Sequence, residues 1–467
     1  MSSDTDFASL ALLPPLAEAV KELGFVAMTP IQAGCIPPLL AGKDVVGESQ
    51  TGSGKTAAFV LPLLQHAVLD ARELGALILC PTRELSAQVA RELRKLGRGL
   101  KGLGVVVLSG GQPLRDQTAA LTKGVHIAVG TPGRVLDHLQ RRTLKVHRVT
   151  RVVLDEADRM LEMGFLEDVA KILKSLPPER QTAFFSATFP ESIAALSERF
   201  QKDPVRVSIA GDSAEKPDIR QWVVHTTEDQ KRQTLRWLLQ THPHESALVF
   251  TNLKATVAEL EQTLAAAGSS VASLHGDLEQ FDRDRVLAKF RNGSTRVLIA
   301  TDVAARGIDL DRLDLVVNFD LPRQAETYVH RIGRTGRAGN TGLAIALCTP
   351  KDQHVLESIE QYTGAPISPL KRNTATAAPA PAQPLARDAK MDTLRLSGGR
   401  KDKLRPGDIL GALTGESGGL QGEQVGHIEI HDRFAYVAVE KSVSRRALDS
   451  LTQGRIKGKR FRVELLK

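Results

Sequence analysis

Short runs of apolar residues recur along most of the chain, separated by stretches whose apolar positions return every three or four residues. Residues 76–80, 105–108, 126–129, 151–154 and 182–185 are four or five residues long and nearly uncharged, the pattern of strands buried on both faces. Residues 247–250, 271–274, 297–300, 315–318 and 343–347 repeat the rhythm. Strands alternating with helical stretches predict doubly wound parallel α/β sheets. A polar break at 210–217 (AGDSAEKP) divides them into two units, 1–209 and 218–370.

The pattern changes after residue 370. Residues 374–384 (TATAAPAPAQP) carry no charge and no bulky apolar side chain, so 371–390 is expected to be an extended linker. Strands are predicted at 393–396, 424–430, 434–440 and 460–466, and helices at 406–413 and 444–451. That βαββαβ order is the order of a ferredoxin-like or RNA-recognition (RRM-like) fold, here over 391–467. The predicted fold class is α/β, with two tandem parallel-sheet domains and one small antiparallel domain.

Composition narrows the class. With 467 residues, 42% hydrophobic and 25% charged, the chain is not disordered as a whole. No run approaches the ~18 uncharged apolar residues of a spanning helix, and the start (MSSDTDF) is polar and acidic, so neither leader nor membrane anchor is expected. Cys35, Cys80 and Cys348 lie far apart without metal-ligand spacing, as expected of reduced core thiols in a cytoplasmic protein. The net charge of +8 is unevenly placed. Residues 371–467 hold 19 basic and 11 acidic residues, the whole excess, which suggests a polyanionic partner for the tail.

Two segments carry chemistry. Ser49, Gln50, Thr51, Gly52, Ser53, Gly54, Lys55 and Thr56 follow an apolar strand and open a helix. Glycines let backbone N–H groups converge on phosphate, Lys55 reaches the β/γ-phosphates, and Thr56 is suited to Mg²⁺. The pattern asks for glycine where Ser49 stands. Farther on, residues 152–158 (VVLDEAD) deliver carboxylates at a strand's C-terminal end, where α/β sheets bind ligands. Asp155 is suited to hold Mg²⁺ through water, and Glu156 to orient or deprotonate an attacking water.

Residues 155–158 spell DEAD, and over roughly residues 5–350 the chain resembles the DEAD-box RNA helicases. Further motifs of that family stand as TPIQ at 29–32, PTREL at 81–85, GG at 110–111, TPGR at 131–134 and SAT at 186–188. The second unit has VFTN at 249–252, ATDVAARGID at 300–309 and HRIGRTGR at 330–337. The resemblance implies RecA-like domains and ATP with Mg²⁺. It places Phe7 on adenine, although Phe7 also fits a plain helix anchor, assigns Gln32 to the edge of the base, and counts Thr29 in the ATP site. Asp309 is assigned to the ribose, and Gly307 to the ATP site. Arg334 and Arg337 are implied as arginine fingers, with His330, Ser186 and Thr188 coupling nucleotide to RNA. RNA contacts are implied at Thr82, Arg83, Gly111, Thr131, Arg134, Thr251, Gly276, Gln280, Arg283 and Thr301. Ser86 stands where the family usually has alanine.

In the tail, Phe434 and Tyr436 alternate onto one sheet face, as base-stacking or as packing residues. Arg395, Arg400, Lys401, Lys403 and Arg405 form one basic cluster, and Arg455, Lys457, Lys459 and Arg460 form another. Core, Pro-rich linker and tail together resemble a bacterial branch of the family. That likeness implies a helicase tethered to 23S rRNA or pre-50S particles during ribosome assembly. A broad-specificity helicase and an ATP-gated RNA clamp in mRNA turnover or cold response are the alternatives. DNA is not an expected partner.

Overall fold

The computed structural model describes residues 6–49, 52–209, 218–305, 308, 310, 313–336, 341–371, 389–415, 418–431 and 433–466. The first sheet contains β1 (Val45–Glu48), β2 (Ala76–Leu79), β3 (Val105–Leu108), β4 (Ile127–Gly130), β5 (Arg151–Asp155), β6 (Gln181–Ser186) and β7 (Val205–Ser208). Its order is β3-β4-β2-β5-β6-β1-β7, and every pairing is parallel. Alternate residues of β2 enter opposite cores, Ile78 on one side and Leu77 and Leu79 on the other. Burial on both faces explains why these strands are unbroken apolar runs.

The second sheet contains β8 (Ile219–His225), β9 (Ala247–Thr251), β10 (Val271–Leu274), β11 (Val297–Thr301), β12 (Leu315–Asn318), β13 (Gly342–Cys348) and β14 (Ser368–Pro369). Its order is β10-β11-β9-β12-β13-β8-β14, again parallel throughout. The third sheet is antiparallel, with β15 (Met391–Leu396), β16 (Val425–Ile430), β17 (Ala435–Glu440) and β18 (Val463–Leu466) in the order β16-β17-β15-β18. Helices Pro406–Thr414 and Ser444–Gln453 complete the expected βαββαβ order. The fold class is therefore as predicted: two parallel sheets and one small antiparallel sheet.

Three strands escaped the hydrophobic pattern. On β7 exposed Arg206 and Ser208 alternate with half-buried valines at the sheet edge. On β8 only Val223 and Val224 are fully buried, and β14 is two exposed residues long. Such positions need no apolar run. The first sheet lies in one compact unit, and the second and third sheets lie together in another. No helix among the described residues is long and apolar enough to cross a membrane.

Candidate active site

Neighbouring strands β5, β6 and β1 bring three sequence segments together at their C-terminal ends. The loop after β1 enters helix Lys55–Gln65 through Gly54, whose φ of +94° favours glycine. A side chain there would also strike Gln32, since an added Cβ would lie 2.5 Å from Gln32 Nε2. Gln32 is buried and ties the loop to its own helix. Its Nε2 donates to Gly54 O at 3.1 Å, its Oε1 accepts from Thr29 N at 2.9 Å, and Thr29 Oγ1 donates to Ser53 O at 2.7 Å. Ser49 has no positive φ and its hydroxyl pairs with Ser53 Oγ at 2.7 Å, so the departure from glycine is accommodated.

Lys55 donates from Nζ to Ser49 O at 2.6 Å and is buried. Burial lowers its pKa, while Asp155, Glu156 and Asp158 pull it back up. Asp155, 3% exposed, is pushed up to about 7 by burial and by Glu156, with Lys55 opposing. Oxygen donors from Thr56 and Asp155 suit a hard divalent cation. Glu156 adopts φ 54° and ψ 55°, a left-handed conformation costly for a residue with a Cβ. Its Oε2 lies 3.6 Å from Arg159 Nε and accepts no hydrogen bond from the described protein.

Asp158 is the residue that motif reading passed over. Its Oδ2 accepts from Ala187 N at 3.1 Å, Thr188 N at 3.0 Å and Thr188 Oγ1 at 3.2 Å. In return Ser186 Oγ accepts from Asp158 N at 3.0 Å. The acidic segment and the SAT segment are thus one hydrogen-bonded unit. Phe7 is 4% exposed and meets Phe25 edge-on at 5.6 Å, placing it in the core rather than on an open surface.

A second surface of the same unit gathers PTREL, GG and TPGR. Thr82 caps helix Arg83–Leu96, its Oγ1 accepting from Leu85 N. Ser86 donates its hydroxyl to Thr82 O at 2.8 Å, which satisfies the extra polar group where alanine is usual. The Arg83 guanidinium packs on Gly110, where an added Cβ would lie 2.7 Å from Nη2. Gly111 has φ +76°, and Arg134 Nη1 donates to Gln112 O at 3.2 Å. Thr131 is the N-cap residue of helix Pro132–Gln140.

In the second unit Arg331 is the hub, unmarked by sequence reading because it sits between singled-out His330 and Arg334. It is 2% exposed. Nε and Nη2 grip Asp302 at 2.7 Å each, Nη1 donates to Asn318 Oδ1 and Asp320 O, and Nη2 donates to Asn252 Oδ1 at 2.8 Å. The C-terminal ends of β9, β11 and β12 are thereby fixed around one guanidinium. Thr251 is fully buried and donates to Leu253 O at 3.1 Å, so its side chain supports the strand end instead of facing outward. Thr301 is 8% exposed. Gln280 donates to Asp284 Oδ1 and Arg283 to Ala304 O, while Gly276 lies beside Lys254. His330 is half-buried on helix Ala325–Ile332, and Arg334 is 9% exposed just beyond it. Gln50, Thr51, Gly307, Asp309 and Arg337 lie outside the described residues.

Of the two readings of Phe434 and Tyr436, the third sheet favours packing. Tyr436 is fully buried and Phe434 half-buried, because this sheet face packs on helix Gln280–Arg291 through Ala288. Phe434 stacks on His431 at 4.4 Å, and Arg395 lies over both Phe434 and Phe281. Asn292 and Ser294 bond Thr393 Oγ1, and Arg291 pairs with Glu429 at 3.4 Å. Burial pushes the Tyr436 phenol up to about 12, and its hydroxyl finds no hydrogen-bond partner in the described protein. Tyr436→Phe is therefore expected to change stability by less than about 1 kcal/mol, in either direction; thermal unfolding checks this, and a large loss would reveal a hydroxyl contact.

The basic clusters behave differently. Arg400, Lys401, Lys403 and Arg405 are exposed on one turn, and Arg455, Lys457, Lys459 and Arg460 on another. Lys457 stitches the turns together, donating to Lys403 O and pairing with Asp408 Oδ2, each at 2.8 Å. Two clusters some fifty positions apart in sequence thus form one basic patch.

Comparison with known proteins fits this geometry. The DEAD/DEAH box helicase model matches residues 29–196, the helicase conserved C-terminal domain model residues 230–339, and the DbpA RNA binding domain model residues 393–465. The ATP-dependent RNA helicase DbpA of Escherichia coli is 47% identical over 464 residues, 99% of this chain and 100% of that protein. The DEAD-box ATP-dependent RNA helicase CshA of Bacillus licheniformis is 45% identical over 368 residues, 79% of this chain and 75% of that protein. Among solved structures, S. cerevisiae Dbp5 bound to RNA and ADP BeF3 has a TM-score of 0.72 at 31% identity, covering 79% of this chain and 97% of that one. A nucleotide loop locked by Gln32, a DEAD segment locked to SAT and an RNA-binding domain at the end place the chain in the DEAD-box family, as an RNA-stimulated ATPase and RNA helicase of the DbpA type.

Proposed function

We propose that this helicase separates short duplexes in 23S ribosomal RNA during 50S subunit assembly, working in the cytoplasm and directed to its target by the C-terminal domain. The observation that carries this reading is the extent of the DbpA match, which includes the tail as well as the core. In the core, Lys55 and the loop amides bind the ATP phosphates, Glu156 takes the proton of the attacking water, and Arg334 and Arg337 neutralise charge on the γ-phosphate. Thr56 and Asp155 would hold Mg²⁺, which when bound offsets phosphate charge. Asp158 makes Ser186 and Thr188 respond to movement of the DEAD strand, and His330 serves the same coupling from the second unit.

RNA is held through its backbone by Thr82, Arg83, Gly111, Thr131, Arg134, Gly276, Gln280, Arg283 and Thr301. Contacts with phosphate and 2′-OH position a strand without reading its sequence. Thr251 contributes by supporting its strand end. In the C-terminal domain the basic patch, with Arg400, Lys401 and Lys403, takes the RNA. Phe434 and Tyr436 instead serve packing. Gly110→Ala tests the core surface: the new methyl displaces the flexible end of Arg83, so half-saturating RNA in the ATPase assay should rise about 3–10-fold, with little change in melting temperature. An unchanged RNA requirement would detach Arg83 from RNA binding.

A broad-specificity reading also has one observation in its favour, since CshA is 45% identical over 368 residues, a figure close to the 47% that DbpA shows over 464. Steady-state ATPase with a 23S rRNA fragment, poly(A) and an unrelated structured RNA separates the two. Stimulation by the rRNA fragment at far lower concentration supports targeting, and equal stimulation by all three removes it.

A further inference from the structure

Behind the PTREL–GG–TPGR surface lies a buried polar network that no motif includes. Gln117, 3% exposed, stands on helix Leu114–Thr122, and His138, fully buried, on helix Pro132–Gln140. Gln117 Nε2 donates to Ser109 O at 2.9 Å and, at a long 3.4 Å, to Gln112 O. Those carbonyls flank Gly110 and Gly111, and Gln112 O also accepts from Arg134. With its amide nitrogen so committed, Gln117 presents Oε1 to His138 Nε2 at 3.1 Å, which fixes that ring nitrogen as the donor. In the neutral ring His138 Nδ1 then accepts from Thr143 Oγ1 at 2.8 Å, the nearer of two acceptors for that hydroxyl, the other being His138 O at 3.1 Å. Burial and Arg134 lower the imidazole pKa, against Asp137, so the neutral ring with this tautomer is the favoured form.

We infer that Gln117 and His138 are positioning residues for RNA: they hold the GG loop and the TPGR helix in the one register where Gly111, Thr131 and Arg134 face the same strand. Neither side chain needs to touch RNA. Gln117 fixes the loop by its carbonyls and His138 fixes Gln117 to the helix that carries Arg134. A buried amide that lost this partner would leave Ser109 O and Gln112 O less well satisfied, and the loop would drift. The inference rests on the RNA-contact reading of the core surface.

RNA-stimulated ATPase of the full chain with poly(A) tests it. For Gln117→Met and His138→Leu, the poly(A) concentration giving half-maximal rate should rise about tenfold, the effect of about one well-made hydrogen bond. The kcat at saturating poly(A) and the KM for ATP should move less than about twofold, a split that general destabilisation would not produce. His138→Gln can donate to Gln117 and accept from Thr143, and should restore most of the RNA response. Equal losses in the Leu and Gln variants would make the effect one of volume and overturn the inference. Thr143→Val, losing only a hydroxyl, gives the same comparison at about threefold if His138→Leu does not fold. Arg134→Ala is the control. If it raises the RNA requirement while Gln117→Met does not, the positioning role fails and the RNA surface stands. If Arg134→Ala has no effect, the surface reading fails and takes this inference with it.

Discussion

Glu156→Gln is expected to lower RNA-stimulated ATP turnover by about 10²–10⁴-fold, the usual worth of a general base, with ATP affinity changed little. The substitution keeps size and shape, so the tight turn at φ 54° is preserved. What it removes is basicity at a carboxylate that is 13% exposed, with Oε2 3.6 Å from Arg159 Nε and without a hydrogen bond among the described residues. On the proposed reading ATP affinity resides elsewhere, in Lys55 and the loop that Gln32 and Thr29 tie to their own helix. Lys55→Ala should therefore fail one step earlier and bind no ATP. Nucleotide titration followed by single-turnover hydrolysis distinguishes the two variants. The Gln variant should also release RNA slowly, because hydrolysis no longer resets the ATP-bound state. Wild-type turnover in Glu156→Gln would assign the attacking water to another group.

Such strain at Glu156, about 1–3 kcal/mol for a non-glycine residue, has to be held by its surroundings. The holders are visible: β5 on one side, the helix Ala157–Glu162 on the other, and Asp158 locked to the SAT segment by two backbone N–H groups and the Thr188 hydroxyl. Movement of one segment must move the other. That gives a physical basis for coupling nucleotide state to the rest of the unit, independent of motif names.

The sequence made some of this legible and concealed the rest for definable reasons. Phosphate loop, acidic strand and SAT announce themselves by composition, because their chemistry tolerates few residue types. Strand β7 and most of β8 did not, since partly exposed strands carry ordinary polar residues. Asp158 and Arg331 stood inside recognised motifs, yet their partners come from segments distant in sequence. Gln117 and His138 were invisible for the same reason: a buried polar residue shows its worth only beside its acceptor. Tyr436 shows the opposite failure. Alternation correctly put it on a face with Phe434, but whether that face meets solvent depends on helix Gln280–Arg291, some 145 positions earlier.

Neutralising the basic patch should have the second largest effect, and it separates exposed charges from one engaged by a salt bridge and a carbonyl. Lys401, Arg405 and Arg460 are exposed. If each neutralises one phosphate, replacing all three by alanine should flatten the dependence of log affinity on log salt by about 0.7–0.9 per contact, or about 2–3 in total. At about 50 mM salt the accompanying affinity loss would be on the order of 10²-fold. Lys457→Ala is expected to behave otherwise. Its ammonium is occupied by Asp408 and Lys403 O, so its loss should loosen the junction of the two turns, at a cost of at most about 1 kcal/mol, and barely alter the salt slope. Fluorescence titration of an RNA hairpin over a salt series measures both. Thermal unfolding of each variant guards against collapse of the domain. The ordering matters more than either value. A salt slope that falls with Lys457 but not with the triple variant would mean that RNA inserts between the turns and displaces Asp408. A slope unmoved by either would return the contact to a face of the domain other than this patch, and the charge excess of the tail would then serve solubility alone.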